Sequence, residues 1–311
     1  MDMLVGYTGF VGSNLKERHE FDGVFNSKNI SDAYGTNPDL CIYAGVRAEK
    51  FLANNDPKAD MANIETAMEN IKRIAPKRLV LISTIDVFKS PNNCDENTKI
   101  DENGLHAYGY NRYQLEKWCT ENIKNCHIMR LPGLFGKNIK KNFIYDIIHV
   151  LPSVLNSAKF NDFSLREAII GDCYIKQDNG FYKLKHVEKD VRSDLIKAFE
   201  RLNFSALNFT DSRAVFQLYN LKYLFPHIEF AIKNDIKLLH LAVEPVSSGE
   251  IYNIINADEK PYKNEISDNP PVYDFKTIYS EKLNAGRGYI FYKQQILEEI
   301  KEFVAAEKQK I

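Results

Sequence analysis

Several features of disulfide-rich, metal-binding and membrane proteins are missing from this sequence. Its five cysteines are odd in number and no two stand at C-x-x-C spacing, so neither a disulfide framework nor a zinc site is predicted. The seven histidines are scattered, and no metal is expected. No apolar run approaches the roughly 20 residues that span a bilayer, and the start, MDMLVGYTGF, lacks the pattern of a signal peptide. We therefore expect a cytoplasmic protein with reduced thiols and no membrane partner.

The sequence also lacks an excess of charge of either sign. Its 41 Lys and Arg residues are opposed by 42 Asp and Glu residues, which gives a formal net charge of −1. There is thus no electrostatic case for a nucleic acid partner, and a small molecule is expected instead. Since 311 residues exceed what one compact core usually holds, one larger domain and a smaller second region are predicted.

The first 150 residues contain short, β-rich apolar segments separated by helical patterns. The segments are MLVGY, GVFNS, LCIYAGV, RLVLIST and HIMRLP. The clearest helix is DMANIETAMENIKRIA, whose apolar stripe consists of Met61, Ile64, Met68, Ile71 and Ile74. This alternation predicts an α/β fold with a Rossmann-type doubly wound parallel sheet, in which ligands bind at the carboxyl ends of the strands.

Beyond about residue 150 the pattern loosens into short elements with turn signals such as Asn179-Gly180. We expect residues 1–150 to form the sheet domain, with a return of the chain to it around 215–245. Residues 151–311 are expected to form a smaller, partly discontinuous substrate-binding lobe. Within them, LLHLAVEPVSSGEIYNIIN predicts a strand, a loop and a helix whose start carries Ser247 and Glu250 at capping-box spacing.

A glycine-rich turn lies between the first strand and the first helix. In LVGYTGFVGSNL, three glycines stand at G-x-x-G-x-x-G spacing. Glycines there permit a tight turn and the close approach of a pyrophosphate, and the helix N-terminus attracts negative charge. The alternative is a turn without a ligand. The pattern predicts a dinucleotide site formed by Gly6, Thr8, Gly9, Phe10, Val11 and Gly12.

The stretch GLHAYGYNRYQLEKW contains two pairs in which a cation follows a tyrosine by one helical turn. The pairs are Tyr108 with Arg112 and Tyr113 with Lys117. A cation beside a phenol favours the phenolate, so such a pair suits proton exchange. Five residues along a helix correspond to a rotation of about 500 degrees. The two tyrosines therefore cannot both face one cofactor.

These motifs resemble the extended short-chain dehydrogenase/reductase superfamily, and they are similar to its dTDP-4-dehydrorhamnose reductases. LISTIDVF resembles the strand with the family's active-site hydroxyl, at Thr84. The family's Y-G-x-x-K sequence begins 24 residues later, at Tyr108, with Glu116 at the position of its Glu. This register selects Tyr108 over Tyr113. It also puts Arg112 where the family has Lys, and Arg keeps the charge and can donate to both nicotinamide-ribose hydroxyls.

The resemblance implies an NAD(P)-dependent epimerase, reductase or dehydratase of nucleotide sugars, used in polysaccharide biosynthesis. Hydride transfer at a sugar carbon would be accompanied by proton exchange at Tyr108, with Thr84 bonded to the same oxygen and Arg112 completing the catalytic set. Reductase or epimerase ranks above dehydratase, because STIDVF offers only Asp86 as an added acid or base. The alternatives are a non-catalytic NAD(P)-binding sensor or scaffold, and a module without cofactor.

The resemblance also assigns cofactor residues outside the glycine turn. Ala44 and Gly45, in YAGVRAEK, would approach the dinucleotide, and Pro132, in RLPGLFGKN, would lie near the nicotinamide. The second strand ends in GVFNSKN, without the acid that binds ribose hydroxyls. Ser27 and Lys28 would hold a 2′-phosphate, which favours NADP over NAD, although Lys28 as a solvated loop lysine is the alternative. The short span before LCIYAG predicts that a helix of the usual unit is shortened or missing.

On the substrate side, the resemblance points to two residues and to a dimer. Arg213, in DSRAVFQLYNL, would bind the diphosphate of a nucleotide sugar bidentately, and a surface salt bridge is the alternative. Asn142, in KKNFIYD, is the second candidate. Many relatives dimerise through the helix that carries the catalytic Tyr, so a homodimer is implied.

Overall fold

The computed structural model describes residues 1–283 and 285–310, which form an alternation of strands and helices. The strands are β1 (Asp2–Val5), β2 (Gly23–Phe25), β3 (Leu40–Tyr43), β4 (Leu79–Thr84), β5 (Cys126–Leu131), β6 (Gly133–Phe135), β7 (Val154–Leu155), β8 (Tyr174–Lys176), β9 (Tyr182–Leu184), β10 (Val215–Phe216), β11 (Leu218–Asn220), β12 (Leu238–His240) and β13 (Val246–Ser247). The α-helices are α1 (Phe10–Arg18), α2 (Lys50–Asn55), α3 (Pro57–Ile74), α4 (Ala107–Asn122), α5 (Phe143–His149), α6 (Ser157–Arg166), α7 (Ala168–Cys173), α8 (Lys189–Arg201), α9 (Leu224–Lys233), α10 (Ser248–Ile255) and α11 (Lys293–Lys308).

The central element is a six-stranded sheet with the order β2-β1-β3-β4-β5-β12. All of its strand pairs are parallel. The longest register joins β4 to β5, from Leu79 opposite Cys126 to Thr84 opposite Leu131. The strand order reverses between β1 and β3, and such a reversal opens a crevice at the carboxyl ends of the strands. The predicted Rossmann-type doubly wound sheet is confirmed.

Helix α3 shows why the sequence folds in this way locally. Asp56 caps its start by accepting a hydrogen bond from the Ala59 N–H, and Pro57 occupies the first turn, where no N–H is needed. The predicted apolar stripe is confirmed: Ile64, Ile71 and Ile74 are fully buried in the cluster that includes β1, β3 and β4 residues. The stripe stabilises the fold because it removes apolar surface from water.

The connection from β2 to β3 is unusually short. It contains a single 3-10 helix, Ile30–Ala33, in place of a full α-helix. Ala33 is fully buried in the same apolar cluster, so this one turn still covers part of the sheet. The expected shortening is confirmed.

The contacts divide the chain into two compact units. Unit 1 comprises Met1–Ile139, Val215–Val246 and Pro271–Ile296, and unit 2 comprises the remaining segments. Unit 2 contains an antiparallel sheet with the order β7-β9-β8. It also contains the predicted capping box, in which Ser247 Oγ accepts from the Glu250 N–H at 3.1 Å while Glu250 Oε2 accepts from the Ser247 N–H at 2.7 Å. Across the described residues, no helix has both the length and the apolarity to cross a bilayer.

Candidate active site

A cavity of about 340 Å³ lies in unit 1 at the carboxyl ends of β3, β4 and β5. Parallel strands deliver the residues that follow them to one edge of the sheet, which is why segments distant in sequence meet there. Most of the lining is apolar, and the polar residues are confined to a few positions. The apolar side includes Val11, Ala44, Val46, Ile82, Leu131, Pro132, Leu134 and Phe216, and the polar side includes Lys50, Thr84, Asp86, Tyr108, Arg112 and Tyr273.

The three glycines of the first turn differ in whether the fold leaves space for a side chain at their positions. Gly6 has φ of +91°, and a Cβ there would lie 2.4 Å from the Ala44 carbonyl oxygen. A Cβ at Gly12 would lie 2.2 Å from the Gly6 carbonyl oxygen. At Gly9, by contrast, the described chain offers one atom within 4 Å of a Cβ, the Gly6 oxygen at 3.2 Å. Packing therefore requires Gly6 and Gly12, whereas Gly9 is exposed and open to a ligand.

The other residues assigned to the dinucleotide site lie in the glycine turn and at the end of β3. Thr8 is exposed, Phe10 begins α1, and Val11 lines the cavity. Ala44 follows β3 and also lines the cavity. Gly45 lies against the side chains of Val5 and Tyr43, and it is not among the described residues that line the cavity. The turn and the cavity thus adjoin. Binding of a dinucleotide by these residues stays a prediction.

The loop after β2 carries the two residues expected near a 2′-phosphate. Ser27 and Lys28 are both exposed. The loop is held by Asn26, whose side chain accepts from the Lys28 N–H at 2.9 Å and whose own N–H donates to Asn29 Oδ1 at 2.8 Å. Among the described residues, the Lys28 ammonium forms no ion pair. Its interaction with a phosphate stays a prediction.

Thr84 ends β4 and caps the 3-10 helix Ile85–Val87. Its Oγ1 accepts a hydrogen bond from the Asp86 N–H at 3.1 Å. The Asp86 carbonyl oxygen in turn packs on Gly109, where a Cβ would lie only 2.0 Å from it. This contact explains why glycine follows Tyr108: the start of α4 lies directly on the turn that carries Thr84 and Asp86.

Tyr108 lies in the first turn of α4 and faces the cavity. It is 8% exposed, and its backbone N–H donates to Asn54 Oδ1 at 3.0 Å. Burial raises the pKa of its phenol, Arg112 and Lys50 act to lower that pKa, and Asp86 acts to raise it. The Arg112 guanidinium carbon lies 3.8 Å from the centre of the Tyr108 ring. The structure thus places Tyr108, Arg112 and Thr84 together.

Arg112, however, is already occupied within the protein. Nη1 donates to Asp60 Oδ2 at 2.6 Å and to the Tyr108 carbonyl at 3.1 Å. Nη2 donates to Asp60 Oδ1 at 3.0 Å and to the Arg47 carbonyl at 2.6 Å. Four of its five N–H groups are therefore used, which leaves only Nε for the ribose hydroxyls that the sequence suggested it would bind.

The competing pair, Tyr113 and Lys117, lies elsewhere. Tyr113 packs against the apolar cluster of Val87, Phe88 and Phe275. Lys117 donates to both carboxylate oxygens of Glu102, at 2.8 and 3.0 Å. Neither is among the described residues that line the cavity. The rotation between the two tyrosines along α4 thus separates a cavity residue from a packing residue.

Glu116, two turns after Tyr108 on α4, bonds to the two strands whose ends form the cavity. Its carboxylate accepts from Arg130 Nη2 on β5 at 2.6 Å and from Ser83 Oγ on β4. Both charged side chains are at most 5% exposed. The network fixes α4 against the two strands whose ends form the cavity, so Glu116 has a structural role.

Three residues at the polar side of the cavity form a cluster that sequence reasoning missed. Lys50 Nζ lies 2.9 Å from Asp86 Oδ1, and the Tyr273 hydroxyl donates to the same oxygen at 3.2 Å. Burial acts to lower the Lys50 pKa, but Asp86 and Tyr273 together act in the opposite direction, and the pKa is raised. Burial, reinforced by Asp86, raises the pKa of Tyr273. The sequence named Asp86 as an acid or base in STIDVF but did not predict where its side chain points. Lys50 and Tyr273 belong to no motif.

The two residues expected on the substrate side lie in unit 2. Arg213 donates from Nε and Nη2 to Asp211, at 3.0 and 2.9 Å, and from Nη2 to the Ser267 carbonyl at 2.6 Å. Asn142 caps α5 by accepting from the Tyr145 N–H at 3.1 Å. The guanidinium of Arg213 is thus bound to a neighbouring loop. Its binding of a diphosphate, and any ligand contact of Asn142, stay predictions.

Comparison with known proteins relates this chain to solved structures only. No family model matches it, and no curated protein matches it in sequence. A dTDP-4-dehydrorhamnose reductase from Bacillus anthracis, in complex with NADP, superposes with a TM-score of 0.63 at 15% identity, covering 98% of each chain.

Two epimerases are similar in the same way. UDP-glucose 4-epimerase from Thermotoga maritima, with UDP-glucose, gives a TM-score of 0.60 at 11% identity over 100% of this chain and 99% of that one. UDP-N-acetylglucosamine 4-epimerase from Methanobrevibacter ruminantium, with UDP-N-acetylmuramic acid, gives a TM-score of 0.61 at 12% identity. The match covers 100% of this chain and 98% of that one. At this identity the likeness shows the fold, and the extended short-chain dehydrogenase/reductase-like fold suggested by the motifs is confirmed.

Proposed function

We propose that this chain, which has an extended short-chain dehydrogenase/reductase-like fold, is an NAD(P)-dependent epimerase or reductase of a nucleoside-diphosphate sugar. The observation that supports this most directly is the meeting of the Tyr108 phenol and the Thr84 side chain in one cavity, beside the open glycine of the first turn. A dehydratase ranks lower. The similar solved structures include such reductases and epimerases.

The residues present fit a nicotinamide dinucleotide. Gly9 leaves room for a pyrophosphate at the N-terminus of α1, where unpaired N–H groups attract anions. Val11, Ala44 and Pro132 supply an apolar wall suited to a flat ring. When bound, the nicotinamide would exchange hydride with a sugar carbon. NADP is favoured over NAD, because no acid ends β2 and Lys28 carries an exposed positive charge.

The proposed roles of the polar residues follow from their surroundings. Thr84 hydrogen-bonds the oxygen on the reacting carbon, and Tyr108 exchanges the proton of that oxygen. Because burial raises the Tyr108 pKa, the phenol is protonated near neutral pH and is ready to donate in the direction of ketone reduction. The Arg112 charge acts through the ring that it contacts rather than through bonds to the ligand.

A second candidate function is a non-catalytic NAD(P)-binding sensor or scaffold with the same fold. The observation that favours it is the pairing of Arg112 with Asp60, which compensates the charge that would otherwise promote a phenolate at Tyr108. Such a protein would bind the cofactor and would not catalyse a reaction.

Two measurements test the proposal. The melting temperature with NADPH, NADH or neither tests binding, since a ligand of the folded state raises stability. We expect NADPH to give the larger increase, and no increase with either would refute the cofactor site. Oxidation of NADPH with a panel of UDP-, GDP- and dTDP-ketosugars, and interconversion of UDP-sugar epimers with NADP or NAD, then separate the two candidates, because cofactor binding without either reaction identifies the sensor.

A further inference from the structure

The cluster of Lys50, Asp86 and Tyr273 joins three distant segments at the cavity. Both side-chain bonds to Asp86 end on Oδ1. Among the residues that the structure describes, Oδ2 accepts no hydrogen bond. The carboxylate therefore keeps one acceptor oxygen unoccupied at the polar side of the cavity, which Tyr108 also lines.

Asp86 is held rigidly from several directions. Its N–H is bound by Thr84, its carbonyl packs on Gly109, and its carboxylate is bound by the two partners. Tyr273 is fixed in turn, because its N–H donates to the Val215 carbonyl at 3.0 Å. An acceptor fixed in this way discriminates sharply between ligands, since little reorganisation is needed when a matching donor arrives.

Tyr273 also depends on a buried glutamine. Gln217 is 1% exposed, and its Nε2 donates to the carbonyls of Val243 and Phe275, at 2.6 and 2.9 Å. Its Oε1 accepts from the Phe275 N–H at 2.9 Å. Hydrogen bonds of the Gln217 amide thus hold the segment that carries Tyr273 in place, and they use both its oxygen and its nitrogen.

Stability alone does not account for the cluster. The Lys50 side chain is 41% exposed and that of Asp86 is 18% exposed, and an ion pair of this kind contributes little to folding. A carboxylate on a mostly apolar cavity instead loses hydration unless a ligand replaces the water. Its position is better explained by recognition of a ligand.

We propose that Asp86 contacts the sugar directly and accepts a hydrogen bond from a hydroxyl other than the one that reacts at Tyr108, with Lys50 and Tyr273 as positioning residues. The inference rests on the proposed function and narrows its substrate to a sugar that carries a free hydroxyl there. A ketone or a carboxylate at that position has no proton to donate and meets the negative charge of Asp86, so the site rejects both.

The test measures affinity by titration calorimetry on protein saturated with NADP. The probes are UDP-glucose, dTDP-glucose and the monodeoxy analogues of each. We expect one monodeoxy analogue to bind the wild type roughly 10- to 100-fold more weakly than its parent, as for a hydrogen bond to a charged group. In Asp86→Asn this ratio should fall below about 3-fold, because the amide is a weaker acceptor and carries no charge.

The remaining variants separate positioning from general damage. Tyr273→Phe and Lys50→Met should give intermediate ratios, with the affinity for NADP unchanged. Tyr110→Phe, on an exposed residue of the same helix, should match the wild type in every measurement. Equal affinity of the wild type for parents and analogues, or full discrimination by Asp86→Asn, overturns the inference and leaves the proposed function intact.

Failure of the proposed function gives a different pattern. If NADP does not bind the wild type, the cofactor site fails and the inference fails with it. If NADP binds but neither sugar series does, the inference is overturned while the sensor function remains.

Discussion

The Asp60 carboxylate holds both terminal nitrogens of the Arg112 guanidinium, at 2.6 and 3.0 Å, and both side chains are at least nine-tenths buried. This ion pair joins the first turn of α3 to α4 directly beside Tyr108. The cation next to the phenol is therefore part of the framework of unit 1, and it cannot change partner without leaving a buried charge unpaired.

Removing the charge of Asp60 should destabilise the fold strongly. In Asp60→Asn we expect the free energy of unfolding to fall by about 3–5 kcal/mol, because Arg112 stays buried without its counter-ion. Asp194→Asn is the matched control, since Asp194 pairs with Lys197 where both side chains are more than 60% exposed, and a change below about 0.5 kcal/mol is expected. Urea denaturation measures both. Similar losses in the two variants would contradict the framework role of Asp60.

The catalytic role proposed for Tyr108 predicts that turnover and binding can be separated. Tyr108→Phe removes the proton donor and keeps the ring that Arg112 contacts. We expect turnover with a reactive ketosugar to fall by about 10²- to 10⁴-fold, as for loss of a general acid, with the NADPH affinity unchanged. Tyr113→Phe is the control, because that ring packs in the apolar cluster. Full activity of Tyr108→Phe would exclude the phenol from the reaction.

Two glycines of the first turn should respond in opposite ways to alanine. In Gly12→Ala the new Cβ would lie 2.2 Å from the Gly6 carbonyl oxygen. The melting temperature should therefore fall, and the free energy of unfolding should decrease by about 1–3 kcal/mol or more. In Gly9→Ala the contact is 3.2 Å, so the fold should persist while NADPH binds at least tenfold more weakly. Melting curves and fluorescence titrations measure the two effects. Unchanged NADPH affinity in Gly9→Ala would argue against a pyrophosphate at this turn.

The buried histidine His227 should make a contribution to stability that is lost in mild acid. Burial lowers the pKa of His227 to about 4, against about 6.5 in an unfolded chain. Between these values the unfolded chain binds a proton that the folded chain does not. The contribution of His227 is thus complete above pH about 6.5 and is lost as the pH falls toward 4, by up to about 1.4 kcal/mol per pH unit.

His227→Gln should reduce this pH dependence. Part of the slope will remain, because burial also lowers the pKa of His240, to about 3. Asp146 acts in the opposite direction, because burial raises its pKa to about 7 and the folded chain then binds a proton that the unfolded chain does not. Urea denaturation at several values between pH 7 and pH 4.5 (about the range in which an unfolded histidine titrates) measures the slope. A slope equal to that of the wild type would show that His227 has the same pKa in the folded and unfolded chain, which would contradict the lowered pKa.

The parts of the fold and site that the sequence predicted depend on local spacing. The apolar stripe of α3 and the capping box at Ser247 follow from the geometry of one helix. The choice of Tyr108 over Tyr113 follows from rotation along α4 and from the family register. The predicted position of Thr84 follows because a strand end fixes where the next residue lies.

The parts that the sequence did not predict depend on contacts between distant segments. Asp60 lies 52 residues before Arg112, and no motif connects them. Tyr273 lies 187 residues after Asp86, and its segment is held near Asp86 by hydrogen bonds to Val215 and Gln217. The same kind of long-range contact, to Asp60 and Arg47, uses three N–H groups of Arg112 that the residue type alone would offer to a ligand.

The short connection between β2 and β3 bears on how a cofactor would be used. With one 3-10 turn there, no full helix connects the outer strand β2 to β3, the region where the adenosine of the proposed cofactor would rest. Most contacts with such a cofactor would come from the glycine turn. The cofactor would therefore dissociate and exchange readily between catalytic cycles. A loosely retained coenzyme suits an enzyme that draws reducing equivalents from the cellular pool, and it is less suited to one that must keep the same molecule through a reversible oxidation.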